Sequence, residues 1–569
     1  MLLSVQPAMD SHAQPRTLLD VLPANKQDED RPVYTFWERS GRGRVLTFAN
    51  VDRGSRGVAA YLRASGVVQG EVVAIFEPAS EEGILAFWGA VRLGAVPCFM
   101  PCPSTKQDKA CYWKAHETLF KRIGSGVVMA RESMLMEIAV NAPDHPLRLL
   151  GLPVELCADD GHKDCVRTPA DVAFLQHSSG TTSLKKGVML SHEAVLKQVA
   201  AYESLLALKR DDVIVSWLPL YHDMGLLTSF VMPLVTRTPV VLIDPFVWVS
   251  MPQILFAAIS AERGTLCWQP NFAFNHLCRT VRAGGSYDLS SMRAWINCSE
   301  PCSAKSFDRF VGAFGSLGVT PASMQVCYAM AETVFAVTQT RLGQPVRVLE
   351  VDEPSLVSEG VIRPTRAGSR GKRCLGNGVP LQGLDVDVVD MHRRSLGEGH
   401  VGEIRIRGDF LFSGYHNLPE LSASKLVGGW YHSGDLGFLL GGELFVLGRK
   451  DDLILVHGKN IYAHELEHAL AGVPGIHPGR CVALGWYRDE IGSHDIVVLA
   501  EAEDGVDVQV EDLAAKAKDT VLQHVGVSAF DALIVPRGWL VKTTSGKISR
   551  AANLTKYLAH VGLGQSAIS

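Results

Sequence analysis

Apolar strand-like runs, each followed by a helical stretch, recur through the first 264 residues, and this alternation limits the fold more than any other feature of the chain. VVAIFEP at 72–78 reads as a strand, and ILAFWGAVRLGAV at 84–96 reads as a buried helix closed by Gly94. VVLID at 240–244 is a second strand, with a helix over 252–264 closed by Gly264. Strands alternating with helices predict an α/β architecture built on parallel sheets. At 569 residues the chain exceeds one ordinary core and is expected to divide.

The texture changes twice. LDVDVVD, GEIRIRG and GELFVLG, within 376–447, are short strands between Gly-rich turns and predict a β-rich subdomain. After Asp452 a helix over 463–471, strands near 481–485 and 496–501, and a helix over 510–523 predict a small α+β unit. The expectation is a large domain over 1–450 and a mobile lid over 451–569, hinged at Asp451 in the charged seam GRKDD.

Composition excludes several classes. The net charge is −5 and no long basic run occurs, so neither nucleic acid nor an anionic membrane surface is an expected partner. No uninterrupted apolar stretch reaches the ~18 residues of a membrane span. The opening MLLSVQPAMDSHAQP has neither a basic start nor a long apolar centre, which predicts a cytoplasmic protein. Twelve cysteines lack disulfide-framework spacing, and the pairs Cys98/Cys102 and Cys298/Cys302 lack further ligands nearby; reduced, mostly buried thiols are expected.

The strongest local signal is SSGTTSLKKG at 178–187, directly after the apolar VAFLQ. Placed between a strand and a helix, Ser178, Ser179, Gly180, Thr181 and Thr182 would offer backbone N–H groups and hydroxyls to phosphate oxygens. Lys185 or Lys186 would add positive charge. The spacing is not that of the common P-loop, and alone it reads equally as a polar surface turn.

Together with five further motifs in fixed order, this loop resembles the phosphate-binding signature of the adenylate-forming superfamily of acyl-CoA synthetases, luciferases and adenylation domains. The resemblance spans roughly residues 30 to 558. It implies that Ser299, Glu300 and Pro301 line the adenine. In YAMAET (Tyr328, Ala329, Met330, Ala331, Glu332 and the following Thr) it implies that the Tyr packs on adenine and that Glu332 holds magnesium. It implies ribose contacts for Asp435 and Arg449, a hinge at Asp451, and catalysis by Lys547 in TTSGKISR. Such roles suit the chemistry. A carboxylate attacking the α-phosphate joins two anions, and magnesium on Glu332 with the Lys547 ammonium would offset the charge that accumulates.

Within the superfamily, three features resemble the fatty acyl-AMP ligases. SWLPLYHDMGLL at 216–227 places Trp217, His222 and Asp223 beside the acyl entrance, and WQPNFAFN at 268–275 places Trp268, Asn271 and Phe272 along the acyl pocket. The two tryptophans suggest a bulky or cyclic acid. Gly376 follows Glu332 by 44 residues, and the extra segment, about 340–372, resembles the insertion that restrains the lid in that branch. The sequence departs from the branch at Ala329, at Cys298-Ser299 and in SLKKG. The likeness implies an ATP- and Mg2+-dependent ligase that makes an acyl-adenylate from a carboxylic acid. The acyl group would pass to a phosphopantetheine thiol admitted past Gly458, carried by an acyl carrier protein or by coenzyme A. A coenzyme A ligase, or an enzyme specialised in one half-reaction, remains the alternative.

Overall fold

The apolar runs at 72–78 and 240–244 are strands, Val72–Phe76 and Val240–Ile243, each hydrogen-bonded in parallel to its neighbours. They belong to a computed structural model that describes residues 15–562 except 24, 104–108, 125, 154–160, 162, 178–185, 283, 285, 366–370, 457–458, 489–490, 492, 504–508 and 543–546. In chain order the first strands are β1 (Pro32–Glu38), β2 (Gly41–Thr47), β3 (Val72–Phe76), β4 (Val96–Phe99), β5 (Gly126–Ala130), β6 (Arg148–Gly151) and β7 (Val172–His177). Next come β8 (Gly187–Ser191), β9 (Ile214–Ser216), β10 (Val240–Ile243), β11 (Leu266–Gln269), β12 (Ala294–Asn297), β13 (Met324–Ala329) and β14 (Ala336–Gln339).

Two parallel sheets carry the large unit. One is β4-β3-β5-β6. The other has nine strands; its central six, in spatial order β13-β12-β11-β9-β10-β1, are parallel, while β2, β14 and Val379–Pro380 add antiparallel margins. Helices cover these sheets, as parallel strands buried on both faces require. Beneath the larger one, Phe256, Trp295, Phe310 and Phe314 meet edge to face at centroid distances of 4.9–6.5 Å. Burying each such ring contributes about 1.5–3 kcal/mol.

Helix ends differ from the sequence expectation for local reasons. The first helix runs Glu81–Leu93: Ser80 accepts the Gly83 N–H at its start, and Gly94, at φ 80°, stops it before β4 begins. The second runs Ile254–Glu262, and Arg263 rather than Gly264 takes the left-handed turn. Gly264 serves close approach instead, since a Cβ there would lie 2.5 Å from the Val215 side chain. The phosphate-loop region also differs. β7 and β8 form an antiparallel hairpin around 178–185, and the helix His192–Leu206 begins only after β8. The loop therefore joins two strands rather than a strand to a helix.

The β-rich stretch is the antiparallel set Leu384–Val389, Gly402–Gly408, Trp430–Leu440 and Glu443–Arg449. Beyond it, new apolar clusters begin. Ile476–Arg488 and Ser493–Ala502 pair antiparallel, with Asp531–Val535 added in parallel. Alternation with period two sends Cys481, Ala483, Ile496 and Val498 to helices Ala463–Leu470 and Val510–Val525. Val482, Leu484, Val497 and Leu499 go to the opposite face, against Tyr557 and Leu558 of helix Arg550–His560. No described helix is long and apolar enough to cross a membrane.

Candidate active site

Ligands in parallel α/β sheets bind beyond the carboxyl ends of the strands, and several of the residues singled out by sequence fall there in order. Tyr328 and Ala329 end β13, with Met330 and the turn Ala331–Thr333 following. Ser299, Glu300 and the exposed Pro301 follow β12, Asn271 and Phe272 follow β11, and Trp217 follows β9. A short chain of local sequence after each strand thus meets its neighbours along one edge.

At the β13 end, the Tyr328 hydroxyl donates to Asp435 Oδ2 at 2.6 Å and Arg449 Nε donates to Asp435 Oδ1 at 3.1 Å. Asp435 and Arg449 are cross-strand partners, so the β-rich stretch brings them together by register. Burial works against the charge of Arg449, but Asp435 outweighs it and holds the guanidinium above its ordinary value. Burial likewise raises the Tyr328 hydroxyl, reinforced by Asp435.

Glu332 is held by a residue that the sequence reading missed: the Tyr415 hydroxyl donates to its Oε1 at 2.7 Å, across 83 positions of chain. Lys186 lies 5.4 Å over the Tyr415 ring, and burial lowers its ammonium against the pull of Glu332. Val334, two residues on, has φ 66°, a strained conformation for a β-branched residue that fixes this turn. A carboxylate oxygen is the donor class magnesium takes alongside substrate phosphates, so Glu332 fits that ion. Among the described residues no group of three or more His, Cys, Asp or Glu is placed to hold a metal by itself. Ten cysteines, among them Cys98, Cys102, Cys298 and Cys302, are free thiols, several of them buried.

At the β12 end, Lys547 Nζ donates to the Ser299 carbonyl at 3.0 Å, bridging 248 positions of chain. Ser299 adopts φ 67°, a left-handed conformation rare outside glycine, which turns the backbone at this contact. Glu300 Oε2 accepts the Phe272 N–H at 3.0 Å. Burial raises the Glu300 carboxyl, opposed by Lys547 and by that N–H. Asn271 Oδ1 accepts from Asn297 Nδ2 at 2.9 Å and from the Ser303 N–H at 3.3 Å, locking β11 to β12. His222 Nδ1 and Asp223 Oδ1 are 2.5 Å apart, and the Met224 N–H also binds Asp223. Burial opposes ionisation of Asp223, yet His222 and Lys547 hold its carboxyl below the ordinary range.

Not every sequence expectation comes together here. Trp268 turns into the core, where its indole N–H donates to the Tyr202 hydroxyl at 2.8 Å; position 268 shares a strand face with the helix above, not with the crevice. The indole stacked on Trp217 is Trp248 instead, with centroids 3.6 Å apart. Ser178, Ser179, Gly180, Thr181, Thr182, Lys185 and Gly458 lie outside the described residues. Asp451 sits in the turn Lys450–Asp452. Its neighbour Asp452 binds Arg550 at 2.8 Å, and Arg550 also grips Glu467 at 2.8 and 2.9 Å. The segment 340–372 touches residues 460–465: Lys372 pairs with Glu465 and lies 5.1 Å over the Tyr462 ring, and Asn460 Nδ2 donates to the Val357 carbonyl at 3.2 Å.

The AMP-binding enzyme family matches residues 23–416, more than half of the chain, and the protein belongs to that family. It is similar to a 4-hydroxyphenylalkanoate adenylyltransferase of Mycobacterium marinum, 27% identical across 95% of this chain and 91% of that protein. It is also similar to the medium-chain-fatty-acid–[acyl-carrier-protein] ligase JamA of Moorena producens, 26% identical across 95% of each. Among solved structures, one from a study of fatty acyl-adenylate ligases of E. coli and L. pneumophila superposes with a TM-score of 0.87. It is 25% identical and covers 96% of this chain and 98% of that one.

Proposed function

We propose that this protein joins a carboxylic acid to ATP as an acyl-adenylate and then passes the acyl group to the phosphopantetheine thiol of a carrier protein. The observation that carries the reading is Lys547 Nζ seated on the Ser299 carbonyl, between the Asp435–Tyr328 pair on one side and His222–Asp223 on the other. A carboxylate oxygen of the acid would attack the α-phosphorus, and the bond to pyrophosphate would break. Lys547 would hold the developing negative charge at that phosphorus. Asp435, with two acceptor oxygens, would take the ribose hydroxyls, and Arg449 would orient it. Magnesium carried by the nucleotide and by Glu332 would supply further charge neutralisation. In the second step the thiol sulfur would attack the acyl carbonyl and AMP would leave.

For that step the lid, residues 451–569, would turn about Asp451 and withdraw Lys547. The contacts of Lys372 and Val357 with the lid support a restrained rotation, and hence a carrier protein rather than coenzyme A as acceptor. The ATP supply of the cytoplasm suits this reaction. The test is product analysis with ATP, magnesium and a panel of acids, with and without coenzyme A. Acyl-AMP that persists when coenzyme A is added is the expected result. Acyl-CoA would make the protein a complete coenzyme A ligase, and no adenylate from any acid would overturn the reading.

A further inference from the structure

The order of strands along the crevice also points to the kind of acid. Asp435 with Tyr328, and Glu332, mark the β13 end, while Lys547 meets Ser299 just past β12. If the nucleotide occupies the first of these, the group joined to its α-phosphate extends over β11, β9 and β10. There the path is closed by aromatic rings. Trp217 after β9 and Trp248 in the helix Pro245–Ser250 after β10 stack with centroids 3.6 Å apart and planes 6° from parallel. Trp217 is 5% exposed and Trp248 is fully buried. Phe272 after β11 meets both edge to face, at 6.0 and 6.3 Å, and His276 one turn on covers the far edge of Trp248 at 5.4 Å. Phe272 alone among these is widely exposed, at 47%, and its own N–H binds Glu300 beside the Lys547 contact.

From these positions we infer that the protein selects a short arylalkanoic acid, whose ring packs against Phe272 and ends at the Trp217–Trp248 stack, and excludes long straight-chain acids. The inference rests on the adenylating reading above. Two to three strand spacings separate Ser299 from the stacked indoles, about 10–15 Å, which one ring on a short tail fills. A long alkyl chain continuing in that direction would have to force apart a pair of indoles already in contact. An aromatic acid, in contrast, gains offset or edge-to-face packing on the exposed ring.

The test compares 3-phenylpropanoate, octanoate, dodecanoate and hexadecanoate by ATP–pyrophosphate exchange in the full-length protein and in Phe272→Ala and Trp217→Leu. The expected result is a kcat/KM at least tenfold higher for 3-phenylpropanoate than for dodecanoate. Phe272→Ala should erase most of that ratio, and Trp217→Leu should raise exchange with dodecanoate. Equal or better turnover of dodecanoate by the unaltered protein would overturn the inference while leaving adenylation intact. If no acid supports exchange, the proposed function fails, and quenching of tryptophan fluorescence by the same acids still decides this point. Tighter binding of 3-phenylpropanoate upholds it, and tighter binding of dodecanoate refutes it. Because Phe272 is exposed, its variant keeps the test readable should Trp217→Leu not fold.

Discussion

Single side chains carry contrasting demands in this protein. Lys547, proposed to hold charge in the transition state, contributes one backbone hydrogen bond to the resting structure. Lys547→Ala should therefore cost about 2.7–4 kcal/mol in adenylation, a hundred- to thousandfold in rate, with an unchanged melting temperature; pyrophosphate exchange beside a thermal scan reads both. Ser299 shows the reverse pattern, a residue kept in a left-handed conformation that glycine would adopt without strain. Ser299→Gly should relieve that strain by up to about 1 kcal/mol in urea denaturation. His192 is buried, its Nδ1 accepts the Leu18 N–H at 3.1 Å, and burial, then Arg167, push its pKa down to about 4. Its folded value lies below its unfolded one, near 6.5, so between the two the unfolded chain binds more protons. Stability should fall as pH drops from 6.5 toward 4, by at most about 1.4 kcal/mol per pH unit from this group. His192→Gln should flatten that slope in denaturation curves recorded across the window.

Between elements, one charge cluster ties residues 451–569 to one another and a second contact ties them to the segment 340–372. Arg550, the first residue of the helix after Lys547, clamps Asp452 in the turn Lys450–Asp452 and Glu467 in Ala463–Leu470. Helix Arg550–His560, the turn Lys450–Asp452 and helix Ala463–Leu470 are thus tied by one guanidinium. Arg550→Gln should weaken the lid by about 1.5–3 kcal/mol, the worth of hydrogen bonds to charged groups, and hydrogen exchange should accelerate first in Ala463–Leu470. The second coupling is the segment 340–372 against Tyr462 and Glu465, where Val351, Leu356 and Tyr462 also share an apolar cluster. If this contact restrains lid rotation, Lys372→Ala should raise thioester formation with coenzyme A about fivefold for each kcal/mol of coupling removed. Unaltered acyl-CoA formation alongside unaltered adenylation would show that the segment does not govern the acceptor.

At the scale of the whole molecule, Lys547 reaches Ser299 across 248 positions of chain, so ATP and acid, bound there as proposed, should hold the two segments together. Stability gained at a ligand concentration a hundredfold above Kd should be about 2.7 kcal/mol, seen as a rise in melting temperature that Asp435→Ala diminishes. Much of this organisation was legible in the chain. The α/β alternation, the β-rich stretch and the α+β make-up of the C-terminal stretch follow from local periodicity, because apolar residues repeat at spacings of two or near four wherever one face is buried. Motif residues after β11, β12 and β13 were legible too, since a strand and the loop that follows it are contiguous and chemistry collects at the strand's carboxyl end. What the sequence could not reveal depends on contacts between distant positions. Tyr415 reaches Glu332 across 83 residues, Trp248 rather than Trp268 completes the stack on Trp217, and Arg550 joins Asp452 to Glu467. No local pattern distinguishes these side chains from ordinary core or surface residues. Only the order of strands in the sheet and the packing of the C-terminal stretch decided which of them meet.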